Sequence, residues 1–294
     1  MMIDPKTRAA IFSELKGPVQ DIIQKHLGKP DLEIDEKPDK SRVTKMDRAV
    51  NEELVAWLKA KTPYKAVVAE EESHDDNVKA ARQETYWELD AIDGTDASIE
   101  YHKQYKSGAN PDPKTAEFSV LLSLIHNGTP VFGAIWFPVQ QTLYSIDDQG
   151  KAFRQTEDRA RIPLTSLISE KPISSWSVSC SPEKYDPCPQ LPTAIANPEI
   201  KRSSGIFKLL WPMTGDAHLA NLGAGFKTWD VSAADAIARA AGGMAVTSGR
   251  PIKYNADANE NFSLPAFQLA PIPILEEVGL LHKTHDTLPH PGRG

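Results

Sequence analysis

The run Trp87-Glu88-Leu89-Asp90-Ala91-Ile92-Asp93-Gly94-Thr95 constrains this chain more than any other stretch. An apolar, strand-like lead of Tyr86, Trp87 and Leu89 delivers two carboxylates three residues apart, and a Gly-Thr pair then opens a helical segment. Asp90 and Asp93 are hard oxygen ligands of the kind Mg²⁺ prefers. Gly94 lets the backbone come close to a ligand. Thr95 is expected to cap the helix, whose free N–H groups and dipole form an anion cradle. Asp and Gly are also ordinary turn residues, so the run alone does not separate a metal-assisted phosphate site from a turn.

Other segments favour the site. Tyr64-Lys-Ala-Val-Val-Ala69 reads as a buried strand ending in Glu70-Glu71-Glu72. Open α/β sheets place ligands at the carboxyl ends of their strands. If the strand ending at Ala69 lies beside the one ending at Asp90, Glu70 comes near Asp90 and Asp93, which is enough for a metal cage. Farther on, Trp229-Asp230 opens a small-residue helix, Val231 to Ala241, stopped by Gly242-Gly243. Val231, Ala234, Ile237, Ala238 and Ala241 define its packed face, with Asp235 on another, solvated face. Asp230 is either an ordinary N-cap or a further carboxylate aimed at the site.

The remaining pattern alternates helices with a meander. Lys6 to Leu27 and Asp47 to Lys59 carry helical apolar spacing. From Glu117, Phe118, Val120, Leu122 and Leu124 alternate with small polar residues; Asn127-Gly128 supplies a hairpin turn, and Val131 to Phe137, Thr142 to Ile146 and Lys151 to Phe153 follow as strands. Lys106 to Lys114 is a loop. Polar Arg154 to Ser175 divides an N-terminal α+β metal-binding half, 1–155, from a C-terminal α/β half, 156–294. The second half offers a strand at Trp176 to Cys180, a helix near Ile206 to Leu210 and a strand at Ala217 to Leu222. The tail from Leu281, with His282, His285 and His290, reads as frayed.

Composition excludes several classes of function. Lys+Arg 33 against Asp+Glu 40 leaves a net charge of −7, which argues against a nucleic-acid polymer as partner. No window of 18 apolar residues is present, so no membrane span is expected. The N-terminus lacks a signal-peptide pattern, and Cys180 and Cys188 form neither a disulfide framework nor a Cys-x-x-Cys; a reduced, cytoplasmic setting follows as the default. Gly223-Ala-Gly225 lacks the third glycine of a dinucleotide loop.

Val68-Ala-Glu-Glu71, Asp90-Ala-Ile-Asp-Gly-Thr95 and Trp229-Asp230 followed by Ala241-Gly-Gly243 resemble, in order and spacing, the signatures of the inositol monophosphatase superfamily of Mg²⁺-dependent phosphatases. Lys37-x-Asp39-x-Ser41-x-Val43-Thr44-x-x-Asp47, Glu117-Phe118, Gly133 to Pro138 and Gly150-Lys-Ala-Phe153 fit too, so the likeness covers most of residues 35–255. Within the superfamily the Lys37-to-Asp47 segment and Phe137-Pro138 to Tyr144 are most similar to bacterial 3'(2'),5'-bisphosphate nucleotidases. The resemblance implies a mixed α/β (α+β), layered αβαβα sugar-phosphatase fold with two pseudo-domains and the metals at their junction. It implies two or three Mg²⁺ ions held by Glu70, Asp90, Asp93, Asp230 and the Ile92 carbonyl, with Glu71 and Glu72 as alternatives in register.

Thr95, with Glu70 or Glu71, would position and deprotonate the attacking water, with Asp47 behind. Gly94, Thr95 and Lys208 would contact substrate, and Lys227 is a second candidate for anionic groups. Ala69, Ala91, the Ser203-to-Lys208 segment and above all Asp96-Ala-Ser98 depart from the family pattern. An acidic Asp96 beside a phosphate cradle is expected to weaken binding of a second phosphate. The expected activity is therefore a phosphomonoesterase on a small phosphorylated substrate, 3'-phosphoadenosine 5'-phosphate first and an inositol or sugar phosphate second, in a monomer or homodimer. A metal- or nucleotide-binding regulator without turnover is the alternative of another class.

Overall fold

A computed structural model describes residues 5–281 apart from 28, 30–31, 38–40, 158, 166–171, 183–187 and 257–259. Asp39 and the tail histidines at 282, 285 and 290 lie outside the described residues. Helix α1 (Pro5–His26), a short hairpin of β1 (Asp35–Glu36) and β2 (Arg42–Val43), and helix α2 (Lys45–Lys61) come first. Strand β3 (Val67–Ala69) crosses through α3 (His74–Ala81) to β4 (Thr85–Asp93), which lies parallel to it. Helix α4 (Thr95–Lys106) leads to β5 (Ser119–His126), β6 (Thr129–Phe137), β7 (Thr142–Ile146), β8 (Ala152–Thr156) and β9 (Ile162–Pro163). From β4 onward each strand pairs antiparallel with the next, so this seven-stranded sheet keeps the order of the chain.

The second sheet contains β10 (Ser177–Cys180), β11 (Glu199–Arg202), β12 (Leu219–Leu222), β13 (Gly243–Thr247), β14 (Arg250–Pro251) and β15 (Phe267–Pro271). Its order is β11-β10-β12-β15-β13-β14. The first three strands are parallel and the rest antiparallel. Between the sheets lie α5 (Phe207–Thr214) and α6 (Thr228–Ala240), and α7 (Ile272–Glu277) packs beyond β15. With α1 and α2 on the outer face of the first sheet, the layers run helix, sheet, helix, sheet, helix, as expected.

Period-two alternation along β4 explains how one strand serves two layers. Trp87 faces α2 and donates its indole N–H to Thr62 Oγ1 at 3.1 Å. Tyr86 faces the other way, its hydroxyl donating to Tyr254 O at 2.8 Å. The inner helix must lie very close to the sheet. A Cβ on Gly133 would stand 2.4 Å from Ala233 O, so β6 and α6 meet backbone to backbone. That contact is why α6 is built from small residues.

Three expectations are corrected here. Asp235 is buried rather than solvated, accepting from Arg239 Nε at 3.1 Å and Ala245 N at 2.7 Å. Cys180 and Cys188 are joined in a disulfide, which ties the end of β10 to the segment after it. Thr95 is not a cap: Gly94 occupies the N-cap, with φ +84, and makes no side-chain cap bond. Gly is required there because L-residues rarely adopt that conformation and a Cβ would meet Glu117 O at 2.6 Å. Among the described residues no helix is long and apolar enough to cross a membrane.

Candidate active site

The strand ends converge at one cleft of about 780 Å³, walled by β2, the β4–α4 turn, the segments after β3, β10 and β11, and the start of α6. Glu70 follows β3 directly. The preceding peptide is held by Asn77 of α3, which donates to Ala69 O at 2.8 Å and accepts from Ala69 N at 2.9 Å. Asp90 leaves β4 where the pairing with β5 slips between Asp90 and Asp93, and its Oδ1 accepts from Ile92 N at 3.0 Å. Asp230 stands in the first turn of α6, past the cap position, and accepts from Lys227 N at 2.7 Å.

Glu70, Asp90 and Asp230 each place a carboxylate oxygen within 4.8 Å of the others. The glutamate triplet thereby separates into three environments. Glu70 joins this cluster. Glu71 shares the Lys37 ammonium with it, both contacts at 2.7 Å. Glu72 turns away to accept from Asn51 Nδ2 at 2.9 Å.

Like charges brought together in a partly buried cleft make the cluster an electrostatically poor neighbourhood for ionised groups. Burial, then Glu70 and Asp93, pushes the Asp90 carboxyl well above the usual carboxylate range. Burial with Glu70 and Asp93 does the same to Asp230. Asp93 is pushed up to about 6 by burial, against the pull of Lys208. Asp93 lines the same cleft but stands outside the closest trio. Such a set of hard oxygen donors could hold a divalent cation.

Beside this cluster runs a hydroxyl–carboxylate chain. Thr95 Oγ1 donates to Asp47 Oδ1 at 2.8 Å and lies 3.2 Å from Ile92 O. Thr44 donates to the other oxygen of Asp47 from its backbone N–H at 3.1 Å and also from its hydroxyl. Burial raises the Asp47 pKa, and these hydrogen bonds partly oppose the rise.

Lys208 is buried, its amino group donating to Gly205 O at 2.9 Å and Ser204 O at 3.1 Å. Burial lowers its pKa against the pull of Asp93, Asp230 and Glu117. Lys227, the other expected anion contact, instead donates to Asn261 O at 3.0 Å and Ser263 Oγ at 3.2 Å and does not line the cleft. Sequence reasoning missed the positioning by Asn77 and Asn51, which carry no local signal. It also missed Lys37 as the shared partner of two glutamates, although the Lys37 motif was in view.

The inositol monophosphatase family model matches residues 4–260. The 3'(2'),5'-bisphosphate nucleotidase CysQ of Escherichia coli (strain K12) is 26% identical over 250 residues, covering 85% of this chain and 93% of that protein. The CysQ of Buchnera aphidicola is 26% identical over 242 residues, covering 79% and 81%. Among solved structures, CysQ from Bacteroides thetaiotaomicron superposes with a TM-score of 0.65 at 24% identity over 91% of this chain and 97% of that one. An IMPase/NADP phosphatase complexed with Mg²⁺ and phosphate gives 0.71 at 15% identity over 95% and 97%. Fold and acidic cleft together define a phosphatase hydrolase. The chain belongs to the inositol monophosphatase family.

Proposed function

We propose that this protein is a Mg²⁺-dependent phosphomonoesterase acting on 3'-phosphoadenosine 5'-phosphate, with two or three ions held by Glu70, Asp90, Asp93, Asp230 and the Ile92 carbonyl. One observation carries the reading: carboxylates from three distant segments, after β3, in β4 and in α6, have oxygens within 4.8 Å of one another. Bound there, Mg²⁺ supplies a Lewis acid for the phosphoryl group and the positive charge that the anionic substrate needs.

The chain's own groups do the rest. The Thr95 hydroxyl gives its hydrogen to Asp47, so its lone pairs face the cleft and accept a hydrogen bond from the attacking water. As the water attacks phosphorus, its proton passes to Thr95 Oγ1 while the Thr95 proton moves to Asp47, whose raised pKa suits it to receive one. Glu71, beside Glu70 and tied to Lys37, holds that edge of the cluster in place and is the alternative acceptor. N–H groups at the start of α4, at Gly94 and Thr95, cradle the phosphoryl oxygens, and the leaving ester oxygen departs on the opposite side. Lys208 contributes positive charge from beneath.

The nucleotide is favoured by the relatives named 3'(2'),5'-bisphosphate nucleotidase, which match this chain over most of their length. An inositol or sugar phosphate is the second reading, favoured by the acidic Asp96 in the cleft wall. Phosphate release with Mg²⁺ or with EDTA, measured on 3'-phosphoadenosine 5'-phosphate, inositol 1-phosphate and fructose 1,6-bisphosphate, decides between them. The expected result is Mg²⁺-dependent release with the highest kcat/KM on the nucleotide. Preference for inositol 1-phosphate sinks the nucleotidase reading, and release unaffected by EDTA sinks the metal.

A further inference from the structure

Asp96 is the charged departure in the cleft wall that the proposed chemistry does not use, and the structure gives it a partner. Arg42, on β2, directs Nε at 2.6 Å and Nη2 at 2.5 Å to a single oxygen, Oδ1, of Asp96 in the first turn of α4. Both residues line the cleft beside Asp93 and Thr95. The contact spans a sequence separation of 54 and brings the hairpin across to the mouth of the phosphate cradle.

Three features distinguish this pair from the machinery beneath it. Its side chains are 39% and 56% exposed, so solvent screens the attraction and the pair is weak. An incoming anion can therefore exchange with the carboxylate at little cost. The pair also uses one edge of the guanidinium, whose five N–H donors form a fork suited to two phosphate oxygens. Finally, among the described residues lining the cleft, Arg42 and Lys208 are the cations, and Lys208 is buried and committed to two backbone carbonyls. Arg42 is therefore the more exposed of these two cations in the cleft wall.

We propose that Arg42 reads a second anionic group on the substrate, favouring bis-phosphorylated over mono-phosphorylated esters, and that Asp96 is the counter-ion this group displaces and so tempers that preference. A phosphate near pH 7 carries close to two charges and three acceptor oxygens, and it competes for the fork better than a carboxylate does. Asp96 thus acts as a threshold: weak or singly charged substituents leave the resting pair in place. The inference deepens the phosphomonoesterase reading and rests on it for the identity of the reacting phosphate.

The test compares two esters that differ in one group, 3'-phosphoadenosine 5'-phosphate and adenosine 3'-phosphate, by steady-state phosphate release with Mg²⁺. In Arg42→Gln the ratio of kcat/KM between bisphosphate and monophosphate falls by about tenfold or more, through KM, as expected for loss of a bidentate charged contact. In Asp96→Asn that ratio rises several-fold and the KM for the bisphosphate drops. An equal loss on both esters in Arg42→Gln overturns the proposal by making Arg42 structural. A lower bisphosphate kcat/KM in Asp96→Asn overturns it too, because Asp96 would then hold Arg42 in place rather than compete with the substrate. If the wild type acts on neither adenosine ester but does act on inositol 1-phosphate, the nucleotide reading has failed separately. The same variants are then compared on inositol 1,4-bisphosphate and inositol 1-phosphate, where an unchanged ratio overturns the role of Arg42.

Discussion

Asp230 and Asp235 stand on the same helix, α6, the first half-buried in the cleft wall and the second fully buried, and they are opposite cases. Asp235 is fully buried with donors in place: the guanidinium of Arg239 one turn on and the N–H of Ala245 on β13. Asp230 has the N–H of Lys227, with Lys208 nearby, and otherwise looks out on the carboxylates of Glu70, Asp90 and Asp93. The first arrangement is complete as it stands. The second crowds like charges together, which is the arrangement that the proposed cation would offset. The comparison teaches that burial of an acid says little about function; what its neighbours leave uncompensated says much more.

The hardest blow to this contrast comes from Asp90→Asn, the cleft counterpart with no cation among the main influences on its carboxyl. Removing that charge should lower Mg²⁺-dependent phosphate release by at least about a hundredfold and weaken Mg²⁺ binding measured by calorimetry, while the fold persists. Retained turnover would take Asp90 out of the cation site and leave the cluster a structural oddity.

Next in size is the partnered aspartate. Asp235→Ala strands a mostly buried Arg239 and leaves the Ala245 N–H without its acceptor, so stability in a urea titration should fall by on the order of 3 kcal/mol. Activity per folded molecule should stay within a few-fold of wild type. The double variant Asp235→Leu/Arg239→Met should recover part of the loss, since the stranded charge goes with its partner. If Asp235→Ala costs activity far more than stability, the division of α6 into a working end and a structural end is wrong.

The acidic cluster was legible in the sequence for local reasons. Asp90, Asp93 and Gly94 sit where an apolar strand gives way to a turn, and Glu70 follows a second strand, so strand ends alone placed them near each other. The structure does bring Glu70, Asp90 and Asp230 together. Asp235 was misread because helical periodicity assumes one wet face. Here α6 lies between two sheets and is buried on nearly every side, so its spacing carries no information about which residue meets water. Thr95 was misread as a cap because the left-handed turn at Gly94 shifts the helix start by one and frees the hydroxyl for Asp47, a partner 48 residues away. The pairing of Arg42 with Asp96 and the disulfide between Cys180 and Cys188 are likewise set by where strands end in space. So is the insertion of β15 between β12 and β13. In the first sheet, by contrast, neighbours in sequence are neighbours in space, and its meander could be followed turn by turn.

The smallest effect is also the sharpest test of the contrast, because it is read in the absence of any cation. Burial holds the Asp93 carboxyl at about 6 in the folded protein, against an ordinary value of 3.8, with Asp90 and Asp230 shifted in the same direction. A group whose folded pKa is raised binds its proton more tightly in the native state. It therefore favours folding at low pH, and this contribution is lost as pH rises from about 4 through about 6. In EDTA, Asp93→Asn should escape that loss and ease the repulsion on Asp90, so its Tm should exceed the wild-type Tm at pH 7.5. The advantage should shrink toward pH 4, where the wild-type acids are protonated. Adding Mg²⁺ at pH 7.5 should raise the wild-type Tm more than that of Asp93→Asn and narrow or reverse the order. The paired Asp235 provides the internal control: Asp235→Asn should be less stable than wild type at pH 7.5 with or without Mg²⁺. If Asp93→Asn is the less stable protein in EDTA at pH 7.5, the cleft acids are already compensated by the chain itself, and the distinction between the two ends of α6 disappears.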